Sequence, residues 1–458
     1  MNHSSDFSEP FAISRRAAIA TGALTLPSLF CRPLVAQNTD RPAKKSVPSD
    51  IKITDVRTIL TAPAGIRLAV VKVETNQPGL YGLGCATFTQ RIRVVETAVD
   101  KFLKPFLVGK NPMNIEDLWQ SMYLSSYWRN SGVLNNAISG VDMACWDILG
   151  KQAGMPVWQL LGGKARRAVD VYRHASGSSF EEVADAARSY VEKGYRYIRA
   201  QVGISGQSTY GSRPRTGEST TDKPTNNTAK IWEPREYTLQ VPKLFDYLRQ
   251  QLGNKVELLH DTHERIPPVL AIQLCKDLEP FKLFFLEDPF SPEDVGYFKI
   301  LRHQTSTPLA MGELFNNPNE FVSLISERLI DFIRIHISQI GGLTPARKVA
   351  ALCDFFSVRT AWHGPGDVSP VGHACNIHLD LAIPNFGVQE AREFSQAEKD
   401  VFPGCPVLEN GYYWASDLPG WGMEIDEKIA AKFPITDDPP FDMSWGNLRR
   451  QDGAITKP

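Results

Sequence analysis

The chemistry most plainly written into this chain rests on four side chains: Asp261, His263, Glu287 and Glu313. The three acids follow one another at intervals of 26 residues, close to one strand–helix unit. Each sits at or next to the end of a short apolar run: "VELLHD", "LFFLED" and "PLAMGE". Carboxylates gathered at one enclosed mouth repel one another, and burial further penalises their ionised form. A hard divalent cation relieves that conflict. Mg2+ suits it, because it takes oxygen ligands and keeps positions for water or substrate; zinc would recruit His or Cys. His263 follows Asp261 by two positions, and strand alternation places i and i+2 on one side. An imidazole beside the metal is therefore expected, suited to moving protons near neutral pH. Any one of these acids could be a strand-end cap or a surface ion pair; the matched trio is what argues for a metal.

The elements that would position them follow a regular rhythm. Short β-like runs appear at "AVDVYRHA", "YRYIRAQ", "VELLHD", "LFFLED", "PLAMGE", "DFIRIH", "VRTAWH" and "FGVQE", with helical stretches between them. Strands this apolar, alternating with helices, predict a closed parallel barrel of the α/β class. Their last residues are all polar: His174, Arg199 with Gln201, Asp261 with His263, Glu287, Glu313, Arg334 with His336, His363 and Glu390. Barrel enzymes carry their catalytic groups at the carboxyl ends of the strands, so these side chains would share one mouth. The connection after the second strand is polar, rich in Gly and Pro and roughly 30 residues long, the length of a functional lid or a disordered segment.

Upstream, residues 51–88 read as an antiparallel meander of three strands. Ala137, Val141, Ala144, Cys145 and Ile148 then mark one face of a helix ending near Gly150 or Gly154. The expected organisation is an α+β domain over 46–165, the barrel over 166–400, and a segment over 401–458 packing back on the first domain. Residues 1–45 differ in character. "SRRAAIATGALTLPSLF" joins Arg15–Arg16 to a short apolar run, and resembles a twin-arginine export signal with cleavage after Ala36.

Bulk composition narrows the partner. Fifty basic residues stand against fifty-one acidic ones, and 42% of residues are hydrophobic. No basic stripe suggests nucleic acid, and no apolar stretch of about 20 residues suggests a membrane span. Seven cysteines without CxxC spacing indicate neither a zinc site nor a disulfide framework. A small molecule is the expected ligand.

"LEDPFSP", "MGELFNN", "HISQIGGLTPARKVA" and "WHGPGDVSPVGHA" fall in order along the barrel. In them the chain resembles the enolase superfamily, and within it the mannonate dehydratase branch. The resemblance implies a modified TIM barrel, (β/α)7β, under an N-terminal α+β capping domain, and a symmetric homo-oligomer. It implies Mg2+ held by Asp261, Glu287 and Glu313, and abstraction of the proton α to a carboxylate. β-Elimination of a hydroxyl from an acid sugar of the D-mannonate or D-gluconate type would then give a 2-keto-3-deoxy acid. Tyr210, on the long connection, would be the base with Arg199 beside it, and His263 the acid that protonates the departing hydroxide. His174, Glu313, Arg334, His363, Asp367, Glu390 and, in "FDMSWGNLRR", Trp445 would contact substrate. There is no Lys-x-Lys after the second strand, where Arg199-x-Gln201 stands, which counts against the lysine-base branches. Cys85 and Thr89 occupy positions where active members of the branch typically carry Asp and Asn. The alternative is therefore an acid-sugar binding or sensing protein that keeps the metal pocket and turns over little.

Overall fold

The computed structural model of the protein describes residues 50–129, 131–203, 233–436, Ala454 and Lys457. The Arg15–Arg16 segment, the connection carrying Tyr210, and Trp445 lie outside the described residues.

Three antiparallel strands, β1 (Ile53–Thr61), β2 (Leu68–Thr75) and β3 (Tyr81–Cys85), form the first sheet. The helix Gly132–Ala153 lies against it. This contact explains the alternating glycines of "YGLGC". A Cβ on Gly84 would lie 1.9 Å from the Gly140 carbonyl oxygen, and one on Gly82 1.9 Å from that of Ala144. Only glycine lets the strand come this close. The helix ends on Gly154, whose φ of 67° provides the left-handed cap.

The barrel follows. β4 (Val169–Gly177), β5 (Tyr197–Val202), β6 (Glu257–Asp261), β7 (Phe285–Glu287), β8 (Leu309–Met311), β9 (Phe332–Ile333) and β10 (Arg359–Thr360) pair in parallel, each with the next. β11 (Gln389–Glu390) pairs in parallel with β4. The circuit closes through a parallel bridge between Thr360 and Phe386, where Gly387 N–H donates to Thr360 O at 2.9 Å. Among the described residues one α-helix lies in each of the seven connections from β4 to β11, which is the (β/α)7β arrangement.

Inside the barrel the strands repeat a single device. Tyr172, Leu259, Phe285, Ala310, Phe332, Ala361 and Val388 form a fully buried apolar plug. Two residues further along their segments, on the same face by alternation, stand His174, Asp261, Glu287, Gly312, Arg334, His363 and Glu390. The same step leads from Tyr197, packed against the plug, to Arg199. An apolar layer thus supports a polar one. The β8 segment is the exception: its layer residue is Gly312, with φ 144°, and the acid comes one position later as Glu313.

Beyond the barrel, β12 (Val407–Glu409) and β13 (Tyr412–Trp414) form a hairpin that pairs antiparallel with β4. The tail then reaches the first sheet, where Glu427 pairs with Arg57 at 2.5 Å and Lys72 at 2.8 Å. Residues 401–436 therefore contact the barrel as well as the capping domain. Among the described residues no helix is long and apolar enough to cross a membrane. The described cysteines are free thiols, and all but Cys405 are buried.

Asp147 joins three parts of the chain. Its fully buried carboxylate accepts from Leu83 N–H (3.0 Å) and Trp421 N–H (2.9 Å) and pairs with Lys151 (2.9 Å). Breaking a buried pair by removing one partner costs about 3–5 kcal/mol. Asp147→Ala should lower the unfolding free energy by about that amount in urea titration; a change below about 1 kcal/mol would show that the junction is not held this way.

Candidate functional site

Asp261 and Glu287 end adjacent strands and are register partners. Oxygens of Asp261, Glu287 and Asp288 lie within 4.8 Å of one another, and all three residues are buried. Burial pushes the Glu287 carboxyl up to about 8, with the charge of Asp261 adding to the rise against Arg334. Asp288 is pushed well above the usual range, by burial first and then by Glu313, Glu287 and Asp261. Acids so placed resist ionisation unless a cation joins them. The donor set is all oxygen and enclosed, which fits Mg2+ and does not favour zinc.

Glu313 occupies a different position from the one its spacing suggested. Displaced by Gly312 from the polar layer, its carboxylate lies between two imidazoles: Oε1 is 3.3 Å from His263 Nε2, and Oε2 is 2.9 Å from His363 Nδ1. Burial works against its charge, yet His363 and His263 outweigh burial and hold the acid well below its ordinary range. The carboxylate is still part of the cluster, since Arg334 Nη2 reaches its Oε2 at 3.7 Å while Arg334 Nε donates to Glu287. Asp288 is the acid that the sequence reading missed. It stands beside Glu287 in "LEDP", and that adjacency was the available signal.

His263 reaches the site by a turn rather than by strand alternation. β6 ends at Asp261, and His263 and Glu264 take left-handed φ values of 54° and 52°. Non-glycine residues hold such angles where local contacts impose them. Here Asp261 Oδ1 accepts the His263 backbone N–H at 2.7 Å. Burial and Arg265 press the imidazole pKa down, but Glu313 and Asp261 prevail and raise it. The ring is thereby biased toward the protonated form that an acid catalyst needs.

Two buried guanidinium groups balance the remaining charge. Arg199 Nη1 donates to Asp261 Oδ2 (3.2 Å) and Glu287 Oε2 (3.4 Å), and Nη2 donates to His174 Nδ1 (3.1 Å). His174 therefore carries its proton on Nε2, which lies 2.7 Å from Glu390 Oε1. Burial, then Arg199, lowers this imidazole to about 4, so it is neutral. Arg334 also donates to Glu390 Oε2 (3.0 Å) and Ala361 O (3.1 Å). Arg334, expected as a substrate contact, is fully buried, and its Nε, Nη1 and Nη2 each donate to the protein. Glu390 is likewise engaged by Arg334, His174 and the Gly364 N–H (3.0 Å). His363 bridges Glu313 and Asp367, with Nε2 3.2 Å from Asp367 Oδ1. Of the predicted residues, Asp261, His263, Glu287, Glu313, Arg199, His174, Arg334, His363, Asp367 and Glu390 are all brought together; Tyr210 and Trp445 lie outside the described residues.

Comparison with known proteins agrees with this geometry. Residues 182–429 match the family described as enolase C-terminal domain-like, and residues 44–162 the mandelate racemase / muconate lactonizing enzyme N-terminal domain. A D-galactonate dehydratase family member of Pantoea ananatis, RspA, is 52% identical over 90% of this chain and 100% of its own length. A D-galactonate dehydratase family member from Enterocloster bolteae is 50% identical over 89% of this chain and 100% of its own. A crystal structure of an enolase from Pantoea ananatis, with bound D-gluconate and Mg, superposes with a TM-score of 0.83 at 51% identity, covering 89% of this chain and 100% of that one.

Cation binding to the folded state should raise stability by mass action. At 100 times the Kd of Mg2+, the gain is about 2.7 kcal/mol. Mg2+ should shift the thermal midpoint of the wild-type protein upward, and Glu287→Gln should lose most of that shift. An equal shift in both proteins would place the cation elsewhere.

Proposed function

Because the chain belongs to the enolase superfamily and, within it, to the D-galactonate dehydratase family, we propose that this Mg2+-dependent acid-sugar dehydratase acts on an aldonate of the D-gluconate or D-mannonate type. D-gluconate is placed first, since the related Pantoea ananatis enolase binds it together with Mg. The observation that carries the reading is the convergence, at one end of the barrel, of Asp261, Glu287 and Asp288 with Glu313, which shares Arg334 with Glu287 and pairs with the His263 imidazole.

In this reading Asp261, Glu287 and Glu313 would hold Mg2+, with Asp288 beside Asp261 and Glu287. When bound, the ion stabilises the negative charge that develops on the substrate carboxylate as the C2 proton leaves. Tyr210 takes that proton. An unperturbed tyrosine ionises near a pKa of about 10, so the base needs a nearby cation, the part this reading gives to Arg199. His263 donates its proton to the C3 hydroxyl, which departs as water, and the resulting enol tautomerises to the 2-keto-3-deoxy acid. His174, held neutral between Arg199 and Glu390, and Asp367 supply polar contacts to the sugar hydroxyls. The Arg15–Arg16 segment supports export of the folded enzyme; secreted material beginning at Gln37 would agree with cleavage after Ala36, and an uncleaved cytoplasmic product would not.

A second reading has its own support in the capping loop. Cys85 is buried at the end of β3 and offers its carbonyl to Ser139 Oγ (2.9 Å), and Thr89 Oγ1 contacts Gln90 Oε1 (3.0 Å). Neither supplies the acid or the amide usual at that place, which would suit a binding protein with little turnover.

Incubation of the Mg2+-loaded protein with a panel of aldonic and uronic acids, scored for 2-keto-3-deoxy product, separates the two. Product from one or a few aldonates supports the enzyme; tight binding with no product supports the sensor. Glu313→Gln should reduce turnover to background. His263→Asn should slow dehydration by about 10²–10⁴-fold, the usual contribution of a general acid, with Mg2+ affinity kept. Loss of the metal together with activity would contradict the role given to His263.

A further inference from the structure

His336 is a buried group with no part in the mechanism above. It continues the inward alternation of β9, two residues beyond Arg334, and forms a parallel bridge with His363. The two rings stack with centroids 4.9 Å apart. One donor atom each of His336, His363 and Asp367 lies within 4.8 Å of the others, a grouping that at first suggests a second metal site. The hydrogen bonding argues otherwise. His336 Nδ1 accepts the Ser338 backbone N–H at 3.1 Å, so the lone pair on that nitrogen is used and the proton must sit on Nε2. A ring in this tautomer is a donor at its far edge and not a metal ligand.

Its neighbour cannot take that part. Both nitrogens of His363 face carboxylates of the chain itself, Glu313 at 2.9 Å and Asp367 at 3.2 Å. Among the described residues the only hydrogen bond to the His336 ring is the one at Nδ1, which leaves the Nε2–H beside Asp367 for a ligand. Its tautomer is also tied to the capping domain, because Ser338 Oγ donates to the Cys85 carbonyl at 3.3 Å while its backbone N–H holds the ring. The loop in which Cys85 departs from the usual residue is thus connected by one side chain to the orientation of this donor.

We propose that the His336 Nε2–H and the Asp367 carboxylate form a donor–acceptor pair that grips one hydroxyl of the bound acid sugar, making His336 a specificity-determining residue. The proposal rests on the acid-sugar reading. A site built to hydrogen-bond a hydroxyl discriminates strongly, because the wrong epimer leaves buried polar groups unpaired.

The test uses His336→Phe, which keeps a stacking ring but no donor, and His336→Gln, which restores an N–H near the Nε2 position. Calorimetric affinities and kcat/KM are measured with Mg2+ for aldonates differing at one hydroxyl, and for the matching deoxy acids. His336→Phe should weaken the preferred aldonate by about tenfold or more through KM, the scale of one lost hydrogen bond in a buried site. It should also narrow the gap between epimers, with Mg2+ affinity unchanged and partial recovery of discrimination in His336→Gln. Unaltered affinity and discrimination in His336→Phe would overturn the proposal, as would an equal loss for every epimer and deoxy acid. Stoichiometric Zn2+ bound through His336 would also overturn it. If the wild-type protein binds no acid sugar, the functional reading fails and this proposal fails with it.

Discussion

The structure is governed by the cost of confining carboxylates in one dry place. Asp261, Glu287, Asp288, Glu313 and Glu390 meet at the end of one barrel, all buried or nearly so. Two like charges 4 Å apart repel by about 4 kcal/mol even at an effective dielectric of 20, and a whole domain is stable by only about 5–15 kcal/mol. No fold tolerates several such contacts unrelieved. Arg199 and Arg334 offset part of the charge, and the imidazoles of His263 and His363 offset more. What remains is the deficit that a divalent cation fills, and the same deficit makes the place reactive. A metal that draws charge from a substrate, beside an imidazole biased toward its protonated form, is the equipment of a proton-transfer lyase.

Precision comes from beneath. The ring of Tyr172, a member of the apolar plug, lies 5.8 Å from the Arg199 guanidinium and 5.7 Å from that of Arg334, so one aromatic ring underlies both cations. The guanidinium groups in turn orient the acids. A rigid plug carrying a polar layer two residues above it keeps each functional group on a strand rather than on a loop. The capping domain is tied to this platform by hydrogen bonds: Asp142 accepts the Thr344 N–H at 2.9 Å, and Asn135 donates to Asn316 O at 2.8 Å and Gln339 O at 2.7 Å.

Much of this was legible in the sequence. The alternation of apolar runs with helical stretches, and the polar residue closing each run, sufficed for the barrel and for the gathering of these side chains at one end, because strand ends converge by topology alone. Local geometry was harder to read. Equal spacing suggested that Glu313 sits in register with Asp261 and Glu287, whereas Gly312 takes that register and moves the acid up between two histidines. His263 was expected to face the metal by alternation, yet the strand stops at Asp261 and the ring arrives through a left-handed turn. Asp288 was overlooked because an acid next to Glu287 should point away from the mouth in an ideal strand; β7 ends at Glu287, and the chain turns at Asp288 with φ 43°. Each miss has the same origin, a departure from strand geometry within two residues of a strand end.

Sharing of one divalent cation by these acids can be seen by anomalous diffraction from crystals soaked in Mn2+ as a stand-in for Mg2+. A single strong peak bounded by oxygens of Asp261, Glu287 and Glu313 is expected. A peak beside His336, His363 and Asp367, or density without any peak among the three acids, would contradict it.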